Sequence, residues 1–247
     1  MPLLNTRIFA LMAMLYGLTF AVQATEFALV PFSATKTDQA PAPWRVVGVP
    51  GGKIPLTRFS VVDVDGRKVV RVEASKSYGN LVHDLPLKAT VAGLRLNWQW
   101  RLDEPIQGAD LHSREGDDSP LKVCVLFDMP LEKLGLINRN LLRFARAASA
   151  EKLPSATLCY VWDDKLSPET LLPNAYTDRV RIIVATGSAK QLGQWVEVSR
   201  DVAADFQRAF GTESDTLPPV MAVLVGGDAD NTGGHSLGYV DSLRLEP

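Results

Sequence analysis

The run Asp228-Ala229-Asp230-Asn231-Thr232-Gly233 sets side-chain oxygens at its first, third and fifth positions and glycine at its sixth. That is how a calcium loop opens, because calcium is a hard cation that takes oxygen ligands and the sixth position must turn sharply. The twelfth position, where an EF-hand needs a bidentate glutamate, is Tyr239, so an EF-hand is excluded. Three readings stay open. One is a looser calcium site through Asp228 and Asp230. Another is an Asx-rich turn whose side chains bond their own backbone. The third is recognition of sugar hydroxyls, to which Asn231 and Thr232 would add.

A second acidic stretch is Asp117-Asp118. A glycosidase uses two carboxyls about 5–10 Å apart on opposite sides of the scissile bond. Adjacent strand residues point to opposite faces, so this pair alone would not serve, while one of them with Asp178 or Glu115 would. The bland reading is strand-entry capping with an ion pair to Arg114 or Arg179. Tyr176, Asp178 and Arg179 fall together in one loop and add a ring, an acid and a cation as ligand-binding candidates. Asp241 stands apart. In a regular strand it shares a face with Leu243 and Leu245, which puts a carboxylate inward, costly unless paired or metal-bound. An arginine partner, or a bulge that turns it outward, are the other readings. His83, His112 and His235 have no ligand spacing and read as surface residues. Neither a Gly-x-Ser-x-Gly elbow nor a glycine-rich phosphate loop is present.

The elements that must position these groups are strands. Phe59–Val64 and Arg67–Ala74 flank Asp65-Gly66, a strong hairpin signal. Leu94 to Leu102 alternates without a break, apolar at even and polar at odd positions, as in a strand with one buried face. Trp98, Trp100 and Trp162 could stack on sugar rings, but the alternation puts Trp98 and Trp100 on the apolar face, so the three read first as core. Further strands are predicted at 80–85, 121–127, 158–162, 180–186, 195–200, 220–225 and 239–245. One helix is predicted around Asn138–Lys152, and a short helical turn over Asp205–Phe210 closed by Gly211. About ten strands and one short helical insertion argue an all-β, jelly-roll-like β-sandwich. If strands simply alternate in direction, the loops 75–79, 103–118, 163–179 and 202–219 gather at one end. The loops 65–66, 128–155, 187–193 and 226–236 then gather at the other. That arrangement separates Asp117, Asp118, Tyr176 and Asp178 from Asp228, Asp230, Asn231 and Thr232.

Composition narrows the function. With 26 Lys+Arg against 28 Asp+Glu, the charge is −2, and no basic run marks a nucleic-acid binder. The chain opens with Arg7, an apolar run from Ile8 to Val22 and the small residues of Val22-Gln23-Ala24. This reads as a signal peptide cleaved after Ala24, the apolar run being shorter than the ~20 residues that span a bilayer. The expectation is a periplasmic protein without membrane insertion after cleavage, with residues 25–247 as a single β-sandwich domain. Cys124 and Cys159 lie in look-alike strands. An oxidising compartment allows them to pair, and two small buried thiols fit the strands as well.

Several stretches, taken together, carry a resemblance. They are Leu96-Asn97-Trp98-Gln99-Trp100-Arg101, Gly116-Asp117-Asp118-Ser119-Pro120, Tyr160-Val161-Trp162, Arg200-Asp201-Val202-Ala203-Ala204-Asp205-Phe206 and Asp228-Ala229-Asp230-Asn231-Thr232-Gly233. They resemble an uncharacterised family of secreted bacterial proteins, domain of unknown function 3047, over about residues 44–246. The order also resembles carbohydrate-binding jelly rolls, with Gly193-Gln194-Trp195 and a final Tyr-x-Asp strand. The resemblance implies fold and compartment and no catalytic residues. Such jelly rolls often hold a structural calcium between an acid on the last strand and one near the N-terminus, which here implies Asp241 and Glu26. The cysteines depart from the pattern expected of relatives. The first functional expectation is therefore a non-catalytic module for a saccharide or envelope glycan. The alternatives are a periplasmic hydrolase using loop carboxylates, or a structural or assembly protein. A binder needs an exposed aromatic near Asp228 or Asp178, an enzyme two convergent carboxyls in a cleft, and a scaffold an exposed apolar patch.

Overall fold

The computed structural model describes residues 28–49, 51–86, 93–149 and 151–247. The leader and Glu26 lie outside them. The strands are β1 (Arg45–Val47), β2 (Arg58–Val64), β3 (Arg67–Ser75), β4 (Tyr78–Asp84), β5 (Arg95–Glu104), β6 (Lys122–Phe127), β7 (Ala156–Trp162), β8 (Leu171–Pro173), β9 (Val180–Thr186), β10 (Val196–Asp201), β11 (Val220–Asp228) and β12 (His235–Glu246). The helices are α1 (Leu136–Ala148) and α2 (Val202–Phe210). A seven-stranded sheet of order β1-β4-β11-β6-β7-β9-β8 packs on a five-stranded sheet of order β10-β5-β12-β3-β2. The fold is an all-β, jelly-roll-like sandwich. No helix among the described residues is long and apolar enough to cross a membrane.

Local chemistry explains the elements. Asp65 and Gly66 both adopt positive φ, 53° and 76°, as the tight turn between β2 and β3 requires. In β5 the even residues Leu96, Trp98, Trp100 and Leu102 are buried, and their rings meet those of β7 across the core. Trp98 lies 5.4 Å from Tyr160, and Trp100 lies 5.7 Å from Trp162. Helix α2 begins where the Asp201 carboxylate accepts a hydrogen bond from the Ala204 N–H. Its Phe206 and Phe210 close the core at that end. Beneath it, Asp205 accepts hydrogen bonds from Tyr160 and Arg200, and Arg200 and Arg208 reach on to Glu169.

The structure corrects the sequence reading in four places. Among the described residues there are twelve strands rather than ten, and the helical turn predicted over 205–210 is the latter part of a nine-residue helix, α2. The two unpredicted strands, β1 and β8, have three residues each, too short for any alternation, and β8 ends in proline. β8 has a large consequence. It reverses the chain once more between β7 and β9, so those two run parallel. The loops that follow β9, β10 and β11 therefore fall at the end opposite to the one strict alternation assigns, and so does Asp178, while Asn174 and Tyr176 still reach Asp117 and Arg114. The loop after β11 joins 75–79 and 103–118 at what we term the Asp228 end, and both helices connect strands at the other, the helical end. The third place is Asp241, where the structure replaces the inward carboxylate by both of the other readings, a bulge and an arginine partner. Val240 points inward, and the bulge between Asp241 and Arg244, with Ser242 at φ 52°, turns the alternation over so that Leu243 is again inward. Asp241 faces outward and pairs with Arg67 at 3.2 Å. The fourth is His83, which is buried: its Nε2 accepts the Val30 N–H and its ring meets Trp44.

Candidate functional site

The seven-stranded sheet is apolar on both faces. In β6, Val123, Val125 and Phe127 enter the core, so Lys122, Cys124 and Leu126 must point the other way. Register then builds rows across that outer face. Val82, Leu224, Cys124, Cys159, Ile182 and Leu172 stand side by side on six neighbouring strands. Cys124 and Cys159, directly opposite one another, are joined by a disulfide. Two residues nearer the Asp228 end, the neighbours are Asn80, Gly226 and Lys122, and beyond them Tyr78 and Asp228. An apolar floor thus passes into a polar end. A cleft of about 620 Å³ runs along this face from Asp230 and Asn231 to Ser149 and residues 151–154 beside α1.

The polar end is assembled from four parts of the chain. Lys122 Nζ donates to Asp228 Oδ1 at 2.9 Å and lies 4.9 Å from the centre of the Tyr78 ring. The same oxygen of Asp228 accepts the Ser119 N–H at 3.2 Å. Asp118 accepts the N–H groups of Asn231 and Thr232 and the Thr232 hydroxyl, at 3.1, 2.8 and 2.6 Å, and so holds the loop after β11 in place. Asn231 donates to the Asp117 carbonyl, Asn174 donates to the Asp117 carboxylate, and the Tyr176 hydroxyl donates to Asn231 Oδ1. The Tyr176 ring is 54% exposed at the rim. Carboxylate oxygens of Asp118, Asp228 and Asp230 lie within 4.8 Å of one another. Asp230 Oδ1 and Asn80 Oδ1 are buried and accept no hydrogen bond among the described residues.

Gly226 shapes this end. A Cβ there would lie 2.4 Å from Asn80 Oδ1 and 2.7 Å from Lys122 Cε, so only glycine lets the two side chains flank it. Burial and neighbouring charge shift the titration of these groups. Burial pushes the Asp117 carboxyl above its usual range, against the Asn174 hydrogen bond, and it pushes Asp230 up with help from the charges of Asp228 and Asp118. Burial works to push the Lys122 ammonium down, and Asp228, Tyr78 and Asp117 overcome it and hold the ammonium well above its usual range.

Of the sequence candidates, Asp117, Asp118, Tyr176, Asp228, Asp230, Asn231 and Thr232 come together. Asp178 and Arg179 do not. They sit at the helical end, where Asp178 accepts from Asn138 of α1 and Arg179 donates to Glu213. Asp241 lies on the outer face of the other sheet, so the structure does not set it beside Asp228 or Asp230. Sequence reasoning missed Tyr78, Asn80, Lys122 and Gly226. Their signal was present: Lys122 shares the alternate positions of its strand with Cys124 and Leu126, a cation on an otherwise apolar face.

Residues 42–244 match the family described as "Protein of unknown function (DUF3047)". No curated protein matches the chain. Among solved structures, the chain is similar to the Family 11 carbohydrate-binding module of the cellulosomal cellulase Lic26A-Cel5E of Clostridium thermocellum, at 10% identity over 85% of this chain and 92% of that one, TM-score 0.40. It is similar to TmCBM61 in complex with beta-1,4-galactotriose at 11% identity over 87% and 92%, TM-score 0.35. Endoglucanase 3 from family GH12 of Trichoderma harzianum is similar at 9% identity over 84% and 99%, TM-score 0.40.

Proposed function

The chain belongs to the DUF3047 family of proteins of unknown function, and from its cleft we propose that it is a non-catalytic binding module for a saccharide. One observation carries this reading. A cleft of about 620 Å³ has an apolar floor that passes directly into an end crowded with hydroxyl, amide, ammonium and carboxylate groups. A pyranose presents the same division, with C–H groups on its faces and hydroxyls around its edge. Asn80 Oδ1 and Asp230 Oδ1 supply buried acceptors that a ligand hydroxyl would satisfy, and Tyr176 supplies an exposed ring at the rim. We take residues 1–24 as an export leader and the periplasm as the site of action, where envelope glycans are the available ligands.

The test is titration calorimetry of the exported protein against envelope-derived and plant oligosaccharides. Binding should weaken at least about tenfold in Asn80→Ala and in Tyr176→Ala with the fold unchanged by circular dichroism. Absence of binding across the panel would sink the proposal. Calcium belongs to the same experiment. Asp118, Asp228 and Asp230 offer oxygens, and an ion among them would have to displace the Lys122 ammonium from Asp228. A calcium-dependent shift in melting temperature that EDTA reverses, larger in Lys122→Met, is the result expected if the triad holds it.

A second reading rests on Asp117. A carboxyl raised by burial and facing a cleft is suited to donate a proton. Release of reducing ends from a polysaccharide, abolished by Asp117→Asn, would replace the binding module with a hydrolase.

A further inference from the structure

Helix α1 is amphipathic in the opposite sense to a helix packed on a protein body. Its polar side faces the protein. Asn138 donates to Asp178, Arg139 donates to the carbonyls of Leu131, Glu132 and Leu134, and Arg146 donates to Asp128 and to the carbonyl of Leu153. Leu142 is the one residue of the helix that is buried. Ile137, Leu141 and Phe144, spaced four and three apart, form a single stripe. They are 78%, 62% and 76% exposed, and Leu136 beside them is 73% exposed. An apolar stripe ordinarily drives a helix onto its core. Here five hydrogen bonds from Arg139 and Arg146 hold the helix with that stripe outward.

Charge selects the occupant of the stripe. The helix carries Arg139, Arg143 and Arg146 and no Asp or Glu, and Glu132-Lys133 and Glu151-Lys152 flank it. Arg146 pairs with Asp128 and Lys133 with Asp215, which leaves Arg143 as the exposed arginine of the helix. A second copy packed stripe to stripe would bring its own Arg143 to the same contact, cation against cation. A partner that is apolar within and anionic at its surface meets both features. We propose that α1 docks this protein on the surface of an anionic phospholipid bilayer. Ile137, Leu141 and Phe144 enter the boundary between headgroups and acyl chains, and Arg143, exposed at the edge of the stripe, meets phosphate. This inference does not depend on the saccharide reading.

The experiment is flotation of the exported chain, its N-terminus defined by mass spectrometry, with vesicles of phosphatidylcholine alone or mixed with phosphatidylglycerol. The wild type should float with the mixed vesicles, and added salt or Arg143→Glu should weaken the association. Leu141→Glu and Phe144→Glu should each lower the bound fraction at least about tenfold without changing the melting curve, because both side chains are solvated in the free protein. The neutral pair Ile137→Gln with Leu141→Gln should do the same if glutamate disturbs the helix. No flotation of the wild type overturns the proposal. So does flotation that survives all of these substitutions, since it must then come from another surface or from retained leader. A concentration-dependent dimer that Leu141→Glu disperses would also overturn it, by identifying a second copy as the occupant.

Discussion

At the scale of single residues, the cleft concentrates polar groups whose burial weakens the fold. Asp117 is the clearest. Its folded-state carboxyl titrates above its ordinary value of 3.8, so the folded protein prefers the protonated form. Below that ordinary value the folded and unfolded chains are both protonated and the residue is neutral toward stability. As pH rises through the ordinary and then the raised value, the buried carboxylate becomes a burden on the folded state. Asp117→Asn should therefore melt at a higher temperature than the wild type at neutral pH, and the gain should vanish below pH 3.8. An unchanged difference across that range would remove the burial argument. The disulfide makes the opposite contribution. It closes a loop with a sequence separation of 35, which by chain entropy stabilises by about 4 kcal/mol. Denaturant titration of Cys124→Ala with Cys159→Ala should show a loss of that order, with saccharide binding retained if the floor needs only its apolar surface.

The elements differ in how far their own sequence explains them. The hairpin of β2 and β3 and the alternation of β5 are local, and their chemistry is complete within a few residues. β8 is not: Leu171-Leu172-Pro173 acquires strand geometry only by pairing with β9. Helix α2 is intermediate, with a local cap at Asp201 and an orientation set by the ion network beneath it. Within that network the hydrogen bond from Arg200, with a second from Arg208, holds Glu169 down to about 2, from an ordinary 4.5. A depressed carboxyl contributes stability that is complete above its unfolded value and is lost as pH falls through its folded one. Thermal melts between pH 4.5 and about 2 should therefore steepen in their decline, and Glu169→Gln should flatten that part of the profile. The effect is moderate, because Glu169 is half exposed and screened by solvent.

At the scale of the whole molecule, the residues alone determined the class of fold and most of the list of interesting side chains. Strand periodicity and burial are short-range properties, and alternation over ten residues in β5 already says which face meets a core. The two acidic stretches, 117–118 and 228–232, announce themselves by composition. What the residues did not decide is that these stretches touch. Direction is a running product over every strand, so one unrecognised three-residue strand inverts the loops after β9, β10 and β11 and sets Asp118 and Asn231 at opposite poles on paper. The cleft was hidden for a related reason. Its floor is the second face of a sheet buried on both sides, where continuous apolar runs erase the alternation that would mark a surface. Which strands are neighbours is a long-range fact. Only the assembled sheet sets Asn80, Gly226 and Lys122 in one row and turns seven scattered candidates into a single site.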